Sequence, residues 1–205
     1  MFLQALQDLG ASVTEDWEHC THLLASSIRT TDKFLCALGT GAFVLTPTWA
    51  TDSIAAGELL PEGQYSLKDV DGEQKFGISL VRSRERALAL QAPLFQGLKF
   101  FFLPSAVDKL AMYSGVIDFY RGQVCTVFAY HRYKLLIIRV QVQGRFKPAS
   151  RQLGPGKGYM IGAVVDDGWQ SLAEAHGIYS VDFITRSILQ QQLDTTAFRL
   201  QSPEL

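Results

Sequence analysis

Three side chains at the opening of one predicted helix are of the kinds that hold an anion. Thr31 brings a hydroxyl and Lys33 an ammonium group, both in the first turn of a run from Thr31 to Leu38 whose Phe34, Leu35 and Leu38 form an apolar face. A helix N-terminus presents unpaired backbone N–H groups and a partial positive charge, so a phosphate is stabilised there. Arg29, just upstream, adds a guanidinium whose planar fork suits carboxylates. The plainer alternative is that Thr31 only caps the helix while Lys33 is a solvated charge.

A second cluster suits a polyanion. Arg121, Arg132, Lys134, Arg139, Arg145, Lys147, Arg151 and Lys157 follow one another with no Asp or Glu between Phe119 and Val165, and Tyr130, Tyr133 and Phe146 are interleaved. Cations with aromatics are what a nucleic-acid surface or an acidic partner requires. Within it, Arg132, Lys134, Arg145, Lys147 and Arg151 are the candidate nucleic-acid contacts; a solvated hairpin is the alternative. Other chemistries find little support. His19, Cys20 and His22 are close in sequence, but His19 would point away from the other two on a strand, and no second pair completes a metal set. His22 reads instead as a hydrogen-bonded structural residue. Gly154-Pro155-Gly156-Lys157-Gly158 lacks the spacing and the Ser or Thr of a nucleotide-binding loop. No catalytic triad order emerges, and no metal or cofactor is expected.

The elements that would position these groups come in two copies. Trp49 and Phe183, Ser53 and Ser187, and Ile54 and Ile188 are separated by the same 134 residues. Such a repeat of a strand-then-helix ending points to duplicated domains. In the first copy we expect a helix from Phe2 to Leu9, strands at Gly10–Val13, Thr21–Ala25 and Phe43–Leu45, and helices at Thr31–Leu38 and Trp49–Ala56. Alternating helix and strand with continuous apolar strands indicates a parallel sheet. Residues 61–93 read as a connector with a short helix from Ser83 to Leu90. The second copy has strands at Leu98–Leu103, Gln123–Phe128, Tyr159–Val165 and Ile178–Val181. Its helices run from Met112 to Tyr120, from Asp166 or Asp167 to Ala175, and from Asp182 to Gln192. Residues 129–158 have no counterpart in the first copy and read as an inserted strand or hairpin with a loop. Trp49 and Phe183 are assigned to the core as large aromatics opening the last helix of each copy.

The chain has 205 residues, 47% hydrophobic and 19% charged, with a formal net charge of −1. No global field draws it to nucleic acid or membrane. Three cysteines, Cys20, Cys36 and Cys125, are too few and odd for a secreted disulfide framework. The N-terminus has no basic region and gains an acid early, at Asp8, so no signal peptide is expected. These features point to a soluble intracellular protein, with a monomer the expected state.

Cys20-Thr21-His22-Leu23-Leu24-Ala25, Arg29-Thr30-Thr31-Asp32-Lys33-Phe34-Leu35-Cys36-Ala37-Leu38-Gly39, and Thr46-Pro47 followed by Trp49, Asp52 and Ser53 resemble the BRCT family. Lys75-Phe76-Gly77-Ile78-Ser79-Leu80 resembles the linker of tandem BRCT pairs. The resemblance implies an α/β fold of two BRCT repeats, each a four-stranded parallel sheet in the order 2-1-3-4 flanked by helices. The implied layout is repeat 1 over 1–66, a linker over 67–93, and repeat 2 over 94–205 with the basic insertion at 129–158. The first repeat would lack its first strand, because the sequence opens inside the family's first helix. The family is non-catalytic and binds phosphoserine or phosphothreonine segments, here by resemblance a phosphorylated protein tail such as a histone tail, in nuclear DNA damage signalling. Thr31 and Lys33 then fall at the phosphate. Arg29, one place earlier than the family's arginine, falls at the peptide backbone, and Leu35, Ser105 and Val107 fall near the side chains beyond the phosphate. A scaffold that binds without phosphate, and a DNA-contacting domain working through the 129–158 insertion, are the competing functions.

Overall fold

In the computed structural model, residues 2–131, 134–138, 157–163 and 177–200 are described, those of 126–131 and 134–138 by their backbone alone. The chain divides into two compact units, Met1–Leu90 with Ile188–Gln191, and Gln91–Ser187 with Gln192–Leu205.

In the first unit, α1 (Phe2–Asp8), β1 (His22–Leu24), α2 (Asp32–Gly39), β2 (Phe43–Leu45) and α3 (Thr48–Ala56) follow the expected alternation. β1 and β2 are parallel, with His22 opposite Phe43 and Leu24 opposite Leu45. Leu6, Leu45, Trp49 and Ala50 form a buried cluster, with Ala11, Leu24, Phe43, Ile54 and Tyr65 packed on it. Trp49 also fixes the exit of α3. Its indole N–H donates to the Leu60 carbonyl at 2.7 Å, and the Leu60 N–H donates to the buried Ser53 hydroxyl at 3.1 Å. One aromatic and one serine, four residues apart on the same helix face, thus hold the outgoing chain.

The sheet of this unit has two strands among the described residues, not the larger number implied by the resemblance. Gly10–Val13, expected as a strand, is irregular. A strand needs a ladder partner for its N–H and C=O groups, and this segment pairs with none among the described strands.

The expected connector is more ordered than its composition suggested. Lys68–Lys75 reads as polar, yet Val70–Phe76 is a helix, α4. Asp69 caps it by accepting from the Gly72 N–H at 2.9 Å, and Gly77, at φ 56°, closes it in the left-handed region that glycine adopts freely. Helix α5 runs Leu80–Ala89, three residues earlier than expected, because the Glu73 carboxylate accepts from the Leu80 N–H at 2.7 Å and starts it there. Residues up to Leu90 belong to the first unit. Leu67 is hydrogen-bonded to Val44, Leu80 is buried, and the Arg84 guanidinium lies 3.7 Å over the Phe43 ring.

The second unit contains β3 (Lys99–Phe102), α6 (Leu110–Phe119), β4 (Gln123–His131), β5 (Lys134–Ile138), β6 (Gly158–Ile161), β7 (Ile178–Tyr179), α7 (Asp182–Gln190) and β8 (Arg199–Leu200). The sheet order is β5-β4-β3-β6-β7-β8. The four inner strands are parallel, while β5 and β8 are antiparallel additions. β4 and β5 form a hairpin at the start of the inserted segment, and β8 has no apolar run to announce it. Phe100, Phe101 and Phe102 on central β3 are all essentially inaccessible, as a strand covered on both faces must be. Phe95, Tyr120, Tyr159, Tyr179 and Phe183 pack around them with ring centroids 4.8–6.1 Å apart. The helix expected from Asp166 or Asp167 to Ala175 lies outside the described residues.

The duplication reaches the helix ends. After α3, the Gly57 N–H bonds the Ile54 carbonyl and the Glu58 N–H the Ser53 carbonyl. After α7, Gln191 bonds Ile188 and Gln192 bonds Ser187. Gly57 at φ 76° and Gln191 at φ 51° occupy the same left-handed turn.

Candidate functional site

The loop from Ser26 to Thr31 carries the chain from β1 to the N-terminus of α2. Ile28 anchors it from below with a buried side chain. Its N–H donates to Asp69 Oδ2 at 2.7 Å, while Asp69 Oδ1 accepts from Gly72. Asp69 therefore ties the loop to the start of α4. The hydrogen bond from Ile28, then that from Gly72, then the charge of Arg29 hold its carboxyl below the ordinary carboxylate value.

Thr31 stands at the N-cap with extended dihedrals, φ −78° and ψ 153°, but its hydroxyl makes no capping bond. Its carbonyl accepts from Leu35 N–H at 2.9 Å, so the helix starts without using the side chain. Arg29, Thr31, Asp32 and Lys33 are exposed. Lys33 Nζ lies 3.7 Å from Glu15 Oε1 and 5.9 Å from the centre of the Trp17 ring. The Lys33 and Glu15 side chains are 60% and 93% exposed. A pair that open to water is worth about 0–1 kcal/mol. Glu15 is a weak neighbour for the ammonium group, and a dianion that also reached the α2 N–H groups would compete with it. Glu15 precedes a short 3-10 turn, Trp17–His19. Asp16 caps that turn by accepting from Glu18 N–H and lies 2.9 Å from His19 Nδ1. That contact with His19 is the first reason why the Asp16 carboxyl titrates low and the His19 imidazole high.

The other expected site residues are placed differently. Leu35 is fully buried, so it acts as core in this arrangement. Ser105 and Val107 lie on a 3-10 turn, Pro104–Lys109, in the second unit; Ser105 Oγ accepts from Ala163 N–H at 2.8 Å and Val107 is 40% exposed. Arg132, Arg145, Lys147 and Arg151 lie outside the described residues, and Lys134 is described only as the first residue of β5. Trp49 and Phe183 are both buried, as expected of core aromatics.

Sequence reasoning missed how His22 is used. Its ring stacks on Trp49 at 5.1 Å and Phe43 at 5.5 Å, with Nδ1 2.9 Å from Thr21 Oγ1 and Nε2 3.3 Å from Glu62 Oε1. Glu62 sits forty residues away, and no local pattern signals the pairing. Cys20 donates its thiol proton to the His22 carbonyl at 3.1 Å. The Cys36 thiol is pushed up to about 12 by burial and by the charges of Asp32 and Glu18, so it stays protonated and unreactive at neutral pH.

The two units together have the α/β fold of tandem BRCT structures. The crystal structure of the S. pombe Brc1 BRCT5-BRCT6 domains matches with a TM-score of 0.74 at 22% identity, over 93% of this chain and 87% of that one. Residues 2–67, which contain Thr31 and Lys33, match the model of the Regulator of Ty1 transposition protein 107 BRCT domain, and this segment is a BRCT domain of that family. PAX-interacting protein 1 of Bos taurus is 32% identical over 123 residues, 60% of this chain and 12% of its own length. Mediator of DNA damage checkpoint protein 1 of Homo sapiens is 40% identical over 89 residues, 42% of this chain and 4% of its own length. The chain thus spans about one eighth or less of these relatives.

Proposed function

We propose that this chain is a non-enzymatic adaptor module that binds a phosphoserine- or phosphothreonine-containing protein tail in nuclear DNA damage signalling. The observation that carries the reading is the opening of α2: an uncommitted Thr31 hydroxyl and the mobile Lys33 ammonium group stand on an exposed helix N-terminus, inside the segment that matches the BRCT family. A phosphate there would receive backbone N–H groups, one hydroxyl and one full positive charge. Arg29 beside it would attract a peptide carboxylate. A relative that is a mediator of the DNA damage checkpoint supports the cellular setting, and a phosphorylated histone tail is one ligand of the right chemistry.

The test is a paired titration with phosphorylated and unphosphorylated copies of one peptide library, repeated on Lys33→Glu. The phosphorylated peptides should bind more tightly. Lys33→Glu should cost about 10- to 100-fold, the range of a charged hydrogen bond of about 1.5–3 kcal/mol, with no change in melting. Equal binding of both peptide forms would replace the reading with a phosphate-independent scaffold. The Glu15–Lys33 contact and the neighbouring Asp32 favour that alternative.

A further inference from the structure

The proposed phosphate site at the opening of α2 is entered from a loop that holds itself poorly. Among the described residues, Ser26, Ser27, Arg29 and Thr30 make no hydrogen bond. The one bond from the loop to a distant segment is that of the Ile28 N–H to Asp69 Oδ2, at 2.7 Å. Ser26, Arg29 and Thr31 are exposed and Ser27 and Thr30 half-buried, so the buried Ile28 side chain is the main packing anchor. Three residues carry the chain from Ile28 to the Thr31 N-cap, a reach of about 10 Å at full extension. Where Ile28 is held therefore sets where Arg29 stands and how the chain enters α2.

The anchor is built for two donors. The Asp69 carboxylate only accepts, and it gives one oxygen to each element: Oδ2 to Ile28 and Oδ1 to the Gly72 N–H at 2.9 Å. This seat requires glycine at 72. A Cβ there would overlap Oδ2 of Asp69 and stand 2.7 Å from its Cγ. A residue that merely capped α4 would need one oxygen, and asparagine or serine would serve as well. The second oxygen, and the bare Cα that makes room for it, serve a backbone N–H forty-one residues away in the chain.

Charge sharpens the point. Asp69 lies near enough to Arg29 for the guanidinium to act on its carboxyl. It is thus a negative charge beside a place proposed for an anion. By electrostatics alone it opposes phosphate binding, while by geometry it supports it, and the two effects have opposite signs.

We propose that Asp69, seated against Gly72, is a positioning residue for phosphopeptide binding: it holds the Ser26–Thr31 loop in the form in which Arg29 and the opening of α2 receive the ligand together. The inference rests on the reading of α2 as a phosphate site. Asp69 itself touches no ligand. Released from Asp69, the loop populates other forms, and the apparent affinity falls in proportion to the fraction that stays competent.

The test uses the full chain and an N-acetylated alanine–phosphoserine–alanine tripeptide with a free carboxylate, titrated while backbone amide signals are followed by NMR. Asp69→Asn keeps one oxygen to cap α4 but cannot accept from both N–H groups, because its amide turns hydrogens toward the other. It should preserve slow exchange at the Gly72 amide and weaken the tripeptide about tenfold. Loss of the negative charge alone predicts tighter binding, so the sign of the change decides between the two effects. The Arg29 and Thr30 amide signals, displaced in the free variant, should return toward their wild-type positions as the tripeptide saturates, which a merely structural role would not produce. Gly72→Ala leaves every charge in place and should weaken binding to a similar extent. The double variant should be little worse than either single one, because both remove the same interaction. Unchanged or tighter binding by either single variant, or additive losses in the double one, would overturn the positioning role and leave the phosphate site standing. A wild-type chain whose Asp32 and Lys33 amides ignore the tripeptide up to its solubility limit would overturn the phosphate site, and this proposal with it.

Discussion

Lys33 shows how one exposed contact bears on a function. Its partner Glu15 is so open to solvent that the pair contributes little to stability, but it places a negative charge where the proposed phosphate would sit. Glu15→Gln should therefore raise affinity for a phosphorylated peptide about two- to fivefold at low salt, and the gain should shrink at high salt, where such pairs are screened. A calorimetric titration at two ionic strengths checks it; identical affinities would make Glu15 irrelevant. Trp49 works in the opposite way, through burial. Trp49→Ala removes a core aromatic and the bond to Leu60, and should destabilise the first unit by about 3–5 kcal/mol. Denaturant unfolding would show it, and a loss under 1 kcal/mol would contradict the core role. Lys33 could be selected from its type and place in the sequence. Its partner Glu15 could not, because an eighteen-residue separation says nothing of proximity until the chain folds.

At the scale of elements, Asp69 couples the Ser26–Thr31 loop to α4. Its carboxyl titrates below the ordinary value of 3.8 because Ile28 and Gly72 donate to the charged form. A group with a lowered folded pKa gives its full contribution above the ordinary value and loses it as pH falls through the folded pKa. The loop should therefore loosen only in acid, below about pH 4. At pH 7, Asp69→Ala should speed amide exchange at both Ile28 and Gly72; an unaltered Ile28 amide would show that the loop holds itself. The helices α2, α3 and α6 were legible because apolar residues recur at helical spacing and glycine or a polar cap bounds them. α4 was not, since its stability comes from a cap and a glycine stop rather than from an apolar face. Gly10–Val13 failed for a different reason. Its composition permits a strand, but pairing requires a second chain segment alongside.

Across the molecule, duplication gave two unequal sheets. Among the described residues, six strands form the sheet of the second unit and two that of the first. A two-stranded sheet is marginal by itself and leans on helix packing. Amides of β2, such as Val44, should accordingly exchange faster than those of Phe100 to Phe102 in β3, under conditions where global unfolding is slow. Equal protection would mean that helix packing supports the two-stranded sheet as well as strand pairing supports β3.

The amino-acid sequence alone determined the duplication, the α/β class, the buried aromatics and the cationic opening of α2, because periodicity, caps and residue type are local properties of the chain. The tertiary structure decided what depends on meeting across distance: that Leu35 is enclosed, that Asp69 reaches Ile28, and that His22 stacks on Phe43 and Trp49. Burial and strand pairing are relations between segments far apart in the chain, and only the folded arrangement brings those segments together.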